Sequence, residues 1–308
     1  MAEIVVTGST GYIGRNFLMR AAAMLPNARF VGLTRSIRKA RGLGLHQVRF
    51  VEGNVEDRET MSSAFRDASA VVHLAAAVKP RKAAEFFQTN VLGTQNVIEL
   101  SKKAGVTRFV FVSSCDVGLP IVTRYSESKR QAEEIVTQSG LDYLIIRPTA
   151  VYGGFGATAM TGLQALVKRA PLVPVIGGGK QKLQPLYVDD LTAIILQALT
   201  AQVRNAVYEV GGPEQFTHLE LIRELARASG KRGPIFHIPI PVALLAWVLA
   251  PFPFSGSFGI LRERILSLSQ DKVVSNERVM RDFDLTLTCL SDGLAGAQRL
   301  GSRVTESA

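Results

Sequence analysis

The stretch that decides the fold is Thr7-Gly8-Ser9-Thr10-Gly11-Tyr12-Ile13-Gly14, which follows an apolar strand pattern at residues 4–7 and opens a helical pattern at residues 12–24. In a dinucleotide-binding loop the first glycine makes a tight turn, the second lets the backbone approach a pyrophosphate, and the third allows close packing of helix on strand. A glycine triplet alone is weak support. Its place between a buried strand and a helix predicts a nucleotide site at the N-terminus of that helix.

Beyond this loop the chain alternates short apolar strands with longer helical patterns. Further strands are predicted at residues 30–34, 48–51, 70–74, 109–113 and 143–146, and helices at 58–65, 84–103 and 126–138. Strands that are apolar on both faces are typical of a parallel sheet buried between helices. The pattern therefore predicts an α/β fold with a doubly wound parallel sheet of the Rossmann type.

After Pro148 glycines and prolines surround a single predicted helix at residues 158–170. Core character returns with a strand at 186–188, a helix at 191–200 capped by Asp190, a strand at 207–210 and a helix at 219–229 capped by Thr217. We therefore expect interleaved domains. Residues 1–150 plus about 184–212 would form the dinucleotide-binding domain, and residues 151–183 and 213–308 a smaller C-terminal substrate region.

The composition excludes several classes of protein. In 308 residues, 47% are hydrophobic and 20% charged, which does not fit a disordered chain, a collagen or a coiled coil. Lysine and arginine number 36 against 26 acids, a net charge of +10, which suggests an anionic partner. Because the basic residues are dispersed and lack aromatic interleaving, we expect no nucleic-acid partner. A solvated surface and attraction to an anionic membrane both stay open.

Two cysteines, Cys115 and Cys289, cannot form a disulfide framework, which favours a reducing compartment. No signal peptide is recognisable before the first strand, and the longest apolar run, residues 242–250, is far shorter than the roughly 20 residues that span a bilayer. We therefore expect a soluble, cytoplasmic protein. The four histidines lack metal-ligand spacing, so we expect no metal site and a packed or hydrogen-bonded His73.

The apolar run at 242–250 belongs to a longer apolar segment, residues 239–254, which is rich in leucine and aromatic residues. One interpretation is a buried helix that walls the substrate cleft. Others are a lid for an apolar, lipid-like substrate, or a segment resting on a membrane surface, with Arg262 and Arg264 meeting lipid phosphates. Peripheral membrane contact and an oligomeric state are left open.

The end of the second strand bears on the choice of cofactor. Nicotinamide enzymes that use the unphosphorylated cofactor carry an acid here, which bonds the adenosine ribose. This sequence instead has Thr34 and Arg35, followed by Arg38, Lys39 and Arg41. Because guanidinium and hydroxyl groups suit a 2′-phosphate, the pattern favours NADP(H) over NAD(H), a solvated basic loop being the alternative.

Tyr125 and Lys129 stand four residues apart at the start of a helical pattern, so both side chains project from one face. An ammonium beside a phenol favours the phenolate and lowers its pKa toward a useful acid–base range. Ser114, at the end of the preceding strand, could bond a substrate oxygen beside that phenol. A surface pair is the alternative, but the position after Ser114 in a nucleotide fold favours catalysis.

Several further motifs are spread over nearly the whole chain: Gly53-Asn54-Val55, His73-Leu74-Ala75-Ala76, Asn90-Val91-Leu92-Gly93-Thr94, Val112-Ser113-Ser114, Tyr125-Ser126-Glu127-Ser128-Lys129, Arg147-Pro148-Thr149-Ala150-Val151-Tyr152-Gly153 and Val188-Asp189-Asp190. In these motifs the sequence resembles the short-chain dehydrogenase/reductase superfamily, in its extended or atypical branch, which includes the NAD-dependent epimerase/dehydratase proteins. The resemblance implies that Tyr125 is the general acid or base, with Ser114 polarising a substrate carbonyl or hydroxyl.

The resemblance also implies contacts with the cofactor. Asn54 and Val55 would border the adenine, and Ala75 and Ala76 would line the pyrophosphate and ribose. Lys129 would bond the nicotinamide ribose. The full implied set is Gly8, Thr10, Gly11, Tyr12, Ile13, Gly14, Thr34, Arg35, Arg38, Asn54, Val55, Leu74, Ala75, Ala76, Asn90 (supporting the central helix), Val112, Lys129, and Pro148 and Thr149 (flanking the nicotinamide).

Some segments depart from the pattern of the nucleotide-sugar epimerases. Those proteins usually carry an asparagine shortly after the arginine of the sixth strand, where this sequence has Ala150; the residues around it look closer to sterol and flavonoid reductases. Residues 208–217 and 268–271 are similar to bacterial relatives of the nucleotide-binding accessory subunit of respiratory complex I, some of which hold NADPH without turning it over.

Three hypotheses follow. The first is an oxidoreductase that moves a hydride between the nicotinamide and a secondary alcohol or ketone of a small-molecule substrate. The second is an epimerase or dehydratase that oxidises and re-reduces a carbon of a sugar, such as a nucleotide sugar. The third is a nucleotide-binding structural or assembly protein without turnover. The presence of Ser114, Tyr125 and Lys129 argues against the third, and Ala150 argues against the second.

Overall fold

The computed structural model of the chain describes residues 3–78, 80, 82–156, 158–170, 172–230, 234–239, 263, 267 and 269–296. The apolar segment predicted at 239–254 lies outside the described residues apart from Pro239, as do Arg262 and Arg264. Within the described part of the chain, no helix has the length and apolar character needed to cross a membrane.

Strands and helices alternate along the first half of the chain. In order they are β1 (Glu3–Thr7), α1 (Tyr12–Met24), β2 (Arg29–Thr34), α2 (Ile37–Arg41), β3 (Val48–Glu52), α3 (Arg58–Met61), β4 (Ala68–His73), α4 (Ala84–Phe87), α5 (Gly93–Lys103), β5 (Arg108–Val112), α6 (Arg124–Thr137) and β6 (Tyr143–Pro148). The second half continues with β7 (Val151–Tyr152), α7 (Ala159–Arg169), β8 (Val173–Ile176), β9 (Lys182–Leu183), β10 (Leu186–Tyr187), α8 (Val188–Thr200), β11 (Ala206–Val210), β12 (Phe216–Thr217), α9 (His218–Ala228), β13 (Ile235–Ile238) and α10 (Glu277–Asp282).

Seven of these strands form one sheet in the order β11-β6-β5-β4-β1-β2-β3, and every neighbouring pair is parallel. The alternation of side chains explains why both faces are apolar. Ile4 and Val6 belong to the core beneath α1 and α8, whereas Val5 belongs to the core beneath α3, α5 and α6. The predicted doubly wound parallel sheet is confirmed.

The chain order of the strands reverses between β1 and β4, because β2 and β3 lie on one side of β1 and β4, β5 and β6 on the other. At such a switch point the loops after adjacent strands run to opposite faces of the sheet and leave a crevice at the carboxyl ends. The glycine loop, which follows β1, lies at this crevice.

A smaller cluster packs beside the carboxyl edge of the sheet. It contains α7, α9 and three two-stranded pairs, β7 with β10, β8 with β13, and β9 with β12. Tyr152 and Tyr187 lie in its core with their ring centroids 5.6 Å apart. Because β11 returns to the main sheet between β10 and β12, this cluster is built from two separate stretches of the chain.

The prediction of Asp190 as a helix cap was wrong, whereas the helix predicted over 84–103 is present as α4, a π-helical turn and α5. The helix predicted at 191–200 begins at Val188, and Asp190 does not cap it, because its carboxylate accepts hydrogen bonds from the backbone and hydroxyl of Thr288 at 2.8 and 2.7 Å. The helix predicted over 84–103 contains a π-helical turn at Gln88–Leu92. In addition, the basic residues after β2 form α2, for which Ser36 provides the N-cap.

The third glycine of the loop gives a stability prediction. A Cβ atom on Gly14 would lie 2.3 Å from the carbonyl oxygen of Gly8, a contact that neither backbone can relieve without shifting. We expect Gly14→Ala to lower the free energy of unfolding by about 1–3 kcal/mol, the usual cost of overpacking. In the matched control Gly162→Ala, on the exposed face of α7 with nothing within 4 Å, we expect a gain of up to about 1 kcal/mol. Urea unfolding measures both, and equal effects would contradict this account.

Candidate active site

The glycine loop turns tightly at Gly8, whose φ of +66° is a left-handed conformation. Gly11 N donates to Gly8 O at 2.9 Å, and a Cβ atom on Gly8 would lie 2.7 Å from Ala75 N in the loop after β4. Ser9 Oγ also donates to Leu33 O at 2.7 Å. The loop is therefore packed closely against the ends of the neighbouring strands, which places its backbone at the crevice.

A cleft opens at these strand ends. It is lined by residues from the loops after β1, β2, β3 and β4, together with Thr89: Gly8, Thr10, Gly11, Leu33, Thr34, Arg35, Lys39, Gly53, Asn54, Val55, Leu74, Ala75, Ala76 and Thr89. Most of the predicted cofactor residues thus lie around one cleft. Leu33, Lys39, Gly53 and Thr89 were not in the predicted set. Of these, Lys39 had a recognisable signal, since it belongs to the basic run after β2 that favours a 2′-phosphate.

Several predicted cofactor residues do not line this cleft. Arg38 lies on α2 but outside the cleft lining, Ile13 packs against the core, and the Tyr12 hydroxyl donates to Gly153 O at 2.8 Å. Thr149 uses its hydroxyl to bond the carbonyl oxygen of Gln184. Val112 and Pro148 end β5 and β6, which lie farther along the same edge of the sheet.

Asn90 ties the cleft to the helices behind it. In the π-helical turn its side-chain oxygen accepts from Ala77 N at 2.7 Å, while its nitrogen donates to Ala77 O at 3.1 Å and to Ser128 Oγ at 2.8 Å. The side chain is 1% exposed. Asn90 therefore fixes the loop after β4 to α6, the helix that carries Tyr125 and Lys129, as a supporting residue of the site.

His73 lies in a buried chain of hydrogen bonds that reaches the cleft. Thr94 Oγ1 donates its single proton to Asn90 O at 2.6 Å, so it accepts from His73 Nε2 at 2.9 Å. His73 Nδ1 then accepts from Thr7 Oγ1 at 2.6 Å, and Thr7 Oγ1 accepts from Ala75 N at 3.2 Å. Burial, with a smaller contribution from the charge of Lys129, lowers the pKa of His73 to about 3. The packed, hydrogen-bonded role expected for His73 is confirmed.

The residues proposed for catalysis meet at the end of β5. Ser114 follows β5, and its hydroxyl both accepts from Asp116 N at 3.2 Å and bonds the phenol of Tyr125. Tyr125, in the first turn of α6, packs its ring against Phe86 with 6.1 Å between centroids. The sequence thus brings a hydroxyl pair to the carboxyl edge of the sheet, as an acid–base centre would require.

The contacts of Lys129 differ from the pairing with the Tyr125 phenol that the sequence predicted. Its Nζ atom donates to Val112 O at 2.9 Å and lies 4.0 Å from the centroid of the Phe111 ring, and the side chain is 1% exposed. Burial lowers its pKa to about 7, which the charge of Glu133 partly offsets. The ammonium is therefore held by a backbone carbonyl and an aromatic face beneath the site.

The pKa of Tyr125 also differs from the expectation. Burial, together with the negative charge of Asp116, raises it above its usual range, and the hydrogen bond with Ser114 offsets part of that rise. The predicted lowering of this pKa by Lys129 is therefore wrong for this structure, because the ammonium is engaged by Val112 and Phe111. At neutral pH the phenol of Tyr125 therefore carries its proton.

Cys115 and Asp189 take no part in this centre as nucleophile or paired acid. Burial raises the pKa of the Cys115 thiol to about 12, with a further contribution from Asp116, so the thiolate is scarce at neutral pH. Asp189 forms an ion pair with Arg20, while Asp190 bonds Thr288, so the two adjacent carboxylates point apart. Among the described residues no cluster of histidine, cysteine and acidic side chains could hold a metal ion.

A parallel sheet with a glycine loop at its switch point and a Ser-Tyr-Lys group at the end of β5, two strands away, defines a nucleotide-binding α/β enzyme. The model of the NAD dependent epimerase/dehydratase family matches residues 4–211. The chain belongs to this family, within the extended short-chain dehydrogenase/reductase group. Its relatives include NAD-dependent epimerases, dehydratases and reductases, and the prediction of an enzyme is confirmed.

Individual relatives fall into several kinds. A ceramide reductase of Caulobacter vibrioides is 29% identical over 80% of this chain and 76% of its own length. Subunit 9 of the mitochondrial NADH dehydrogenase 1 alpha subcomplex from Arabidopsis thaliana is 26% identical over 91% of this chain and 73% of its own. A UDP-glucose 4-epimerase of Vibrio cholerae is 27% identical over 78% of this chain and 79% of its own.

Solved structures share the fold across almost the whole chain. A dTDP-glucose 4,6-dehydratase of Bacillus anthracis, solved in complex with NAD, superimposes with a TM-score of 0.79 at 20% identity and covers 99% of this chain and 98% of its own. This likeness shows the shared fold. The family match and the relatives support the epimerase/dehydratase hypothesis better than a simple alcohol or ketone oxidoreductase.

The buried His73 gives a pH-dependence prediction. Its pKa is about 3 in the folded protein against 6.5 when unfolded, so the unfolded state takes up the proton first as the pH falls. The folding stability from this group is therefore present above pH 6.5 and lost toward pH 3, by about 1.4 kcal/mol per pH unit. When the pH falls from 6.5 to 5, we expect the free energy of unfolding of His73→Gln to decrease by about 2 kcal/mol less than that of the wild type. Urea unfolding at several pH values measures this, and parallel slopes would refute it.

Proposed function

We propose that the chain is an NAD(P)-dependent epimerase or dehydratase that oxidises a secondary alcohol of a sugar-type substrate, with Tyr125 as its acid and base. The observation that carries the proposal is that Ser114, Tyr125 and Lys129 converge at the end of β5, two strands from the glycine loop. Nucleotide-sugar epimerases and dehydratases among the relatives support this substrate class.

The cleft fits a dinucleotide. The close-packed backbone of Gly8 and Gly11 leaves space for a pyrophosphate, and Asn54 and Val55 lie where an adenine would end. A bound nicotinamide would supply a hydride acceptor that gives the hydride back. Among this chain's residues, Ser114 would hold the substrate oxygen and Tyr125 would exchange a proton with it. Lys129, which bonds Val112 O at the end of β5, would supply a positive charge to this centre in its protonated form.

A second candidate function is a reductase that converts a ketone to an alcohol with net oxidation of the cofactor. Ala150 favours it, because the exposed methyl group between β6 and β7 offers no hydrogen bond to a sugar diphosphate. The ceramide reductase among the relatives adds support for an apolar ketone substrate. The two functions share the same acid–base centre and differ in whether the cofactor ends the reaction in its original oxidation state.

The role of Tyr125 gives a prediction that separates these functions. UDP- and dTDP-hexoses are incubated with the purified protein and catalytic NAD⁺ or NADP⁺, and long-chain ketones with NADPH, while absorbance at 340 nm and NMR of the products are followed. We expect sugar conversion without net change in nicotinamide, and a loss of about 10²–10⁴-fold in kcat for Tyr125→Phe. Tyr143→Phe, at the opposite end of the sheet, is the control.

Stoichiometric oxidation of NADPH with a ketone would replace the first function by the second. Full activity of Tyr125→Phe would contradict both.

We also propose a preference for NADP(H). Arg35 and Lys39 line the cleft beside the end of β2, and neither forms an ion pair with an acid among the described residues. Their guanidinium and ammonium groups would bind a 2′-phosphate, which NAD(H) lacks. Thr34 borders the same part of the cleft, although its hydroxyl already bonds the backbone of Ser36.

This preference predicts a selective loss of binding. Because a hydrogen bond to a charged group contributes about 1.5–3 kcal/mol, we expect Arg35→Ala and Lys39→Ala each to weaken NADPH binding about tenfold or more. NADH binding should change little. Arg41→Ala, on the same helix but outside the cleft lining, is the matched control. Isothermal titration calorimetry measures all three, and equal losses for the two cofactors would contradict a 2′-phosphate site.

A further inference from the structure

Residues 270–276, here called the C-terminal strap, cross the carboxyl edge of the sheet. Gln270 accepts from Ile121 N at 2.6 Å and donates to Ile121 O at 3.2 Å, which fixes the loop between Ser114 and Tyr125. Farther along, Asn276 accepts from Gly211 N at 2.9 Å, so the strap also reaches the turn after β11. The cofactor cleft makes no use of these residues.

Lys272 is the charged residue of the strap that reaches the reaction centre. Its Nζ atom lies 2.8 Å from Asp116 Oδ1 and 2.8 Å from Ser267 Oγ. The side chains of Lys272 and Asp116 are each 17% exposed, so solvent screens this ion pair much less than a surface pair. The backbone of Lys272 is held independently by its hydrogen bond to Lys182 O at 2.7 Å.

Asp116 connects this ion pair to the phenol. Its backbone N–H donates to Ser114 Oγ, the same hydroxyl that bonds Tyr125. The charge of Asp116 raises the pKa of both Tyr125 and Cys115, whereas the charge of Lys272 lowers that of Cys115. Among the described residues, Glu209 of β11 also acts on this turn, since its charge raises the pKa of Cys115, and Glu209 is itself 3.5 Å from Arg147.

We propose that Lys272 is a positioning residue of the reaction centre, which through Asp116 orients the turn bearing Ser114 and sets the net charge beside the Tyr125 hydroxyl. The proposal rests on the proposed role of Tyr125 as acid and base. With Lys272 in place, the charge of Asp116 is compensated. Without it, a carboxylate would stand uncompensated next to the group that exchanges a proton with the substrate.

Cys115 provides a reporter that needs neither substrate nor cofactor. Only the thiolate is alkylated, so as long as the exposure of Cys115 is unchanged, its rate with iodoacetamide under native conditions follows the thiolate fraction, and one unit of pKa changes that fraction tenfold. In a Cys289→Ser background, we expect Asp116→Asn to accelerate alkylation of Cys115 about tenfold and Lys272→Met to slow it several-fold. Lys272→Arg keeps the charge and should retain the parental rate.

The two variants are expected to change the alkylation rate in opposite directions, and this difference separates an electrostatic role of the ion pair from a merely structural one. If the ion pair only held the turn closed, both Asp116→Asn and Lys272→Met would expose Cys115 and accelerate alkylation, and that result would overturn the proposal, as would unchanged rates in both. Lys182→Met is the matched control, because this exposed lysine contacts the strap through its backbone. It should react at the parental rate.

The pH profile of kcat tests whether the ion pair between Lys272 and Asp116 affects turnover. With a substrate that the wild type converts, Asp116→Asn should move the pH profile of kcat to lower pH and Lys272→Met to higher pH, with little change in KM. Shifts in one common direction would overturn the positioning role. A fully active Tyr125→Phe variant would instead contradict the proposed function, whatever the alkylation rates show. Failure of the proposed function and failure of the positioning role are therefore distinguishable.

Discussion

The close contact between Gly14 and the carbonyl oxygen of Gly8 is the constraint on which the rest of the structure depends. No side chain at position 14 would fit against this oxygen, so the start of α1 packs closely on the end of β1. The first turn of α1 therefore lies at the crevice between β1 and β4. The bonds from Ser9 to Leu33 and from Thr7 to His73 extend the same contact to β2 and β4. The loops after four parallel strands are thereby brought to one cleft, within which the cofactor residues lie.

Features encoded by neighbouring residues could be predicted from the sequence. The glycine loop and the apolar strands depend on local spacing, so the order of elements and the parallel sheet were predictable, as was the capping of α9 by Thr217. Asp190 shows the limit, since its partner Thr288 lies 98 positions away and leaves no local signal. The binding of Lys129 to Val112 O was equally hidden, because a backbone acceptor has no sequence signature. The roles of the individual site residues stay predictions.

Two ion pairs flank the reaction centre, and both are more buried than a typical surface salt bridge. Arg147 bonds Glu133 with a shortest distance of 2.6 Å, and Glu133 stands one turn after Lys129 on α6. Lys272 bonds Asp116 on the other side. Removing such charges from water costs about as much as their attraction returns, so their net contribution to stability is small. In the proposed mechanism, their main effect is instead on the electric field at the Tyr125 phenol, which would exchange a proton with the substrate.

The distance in sequence between Asp116 and Lys272, 156 positions, has a consequence for how the protein is made. Synthesis proceeds at roughly 5–20 residues per second, and domains fold from the N-terminus as they emerge. The strands around the cofactor cleft leave the ribosome first, while the strap follows only after β11, several seconds later. In a nascent chain the residues that line the predicted cofactor cleft are therefore available before the strap, and the ion pair between Asp116 and Lys272 is among the last contacts of the reaction centre that can form.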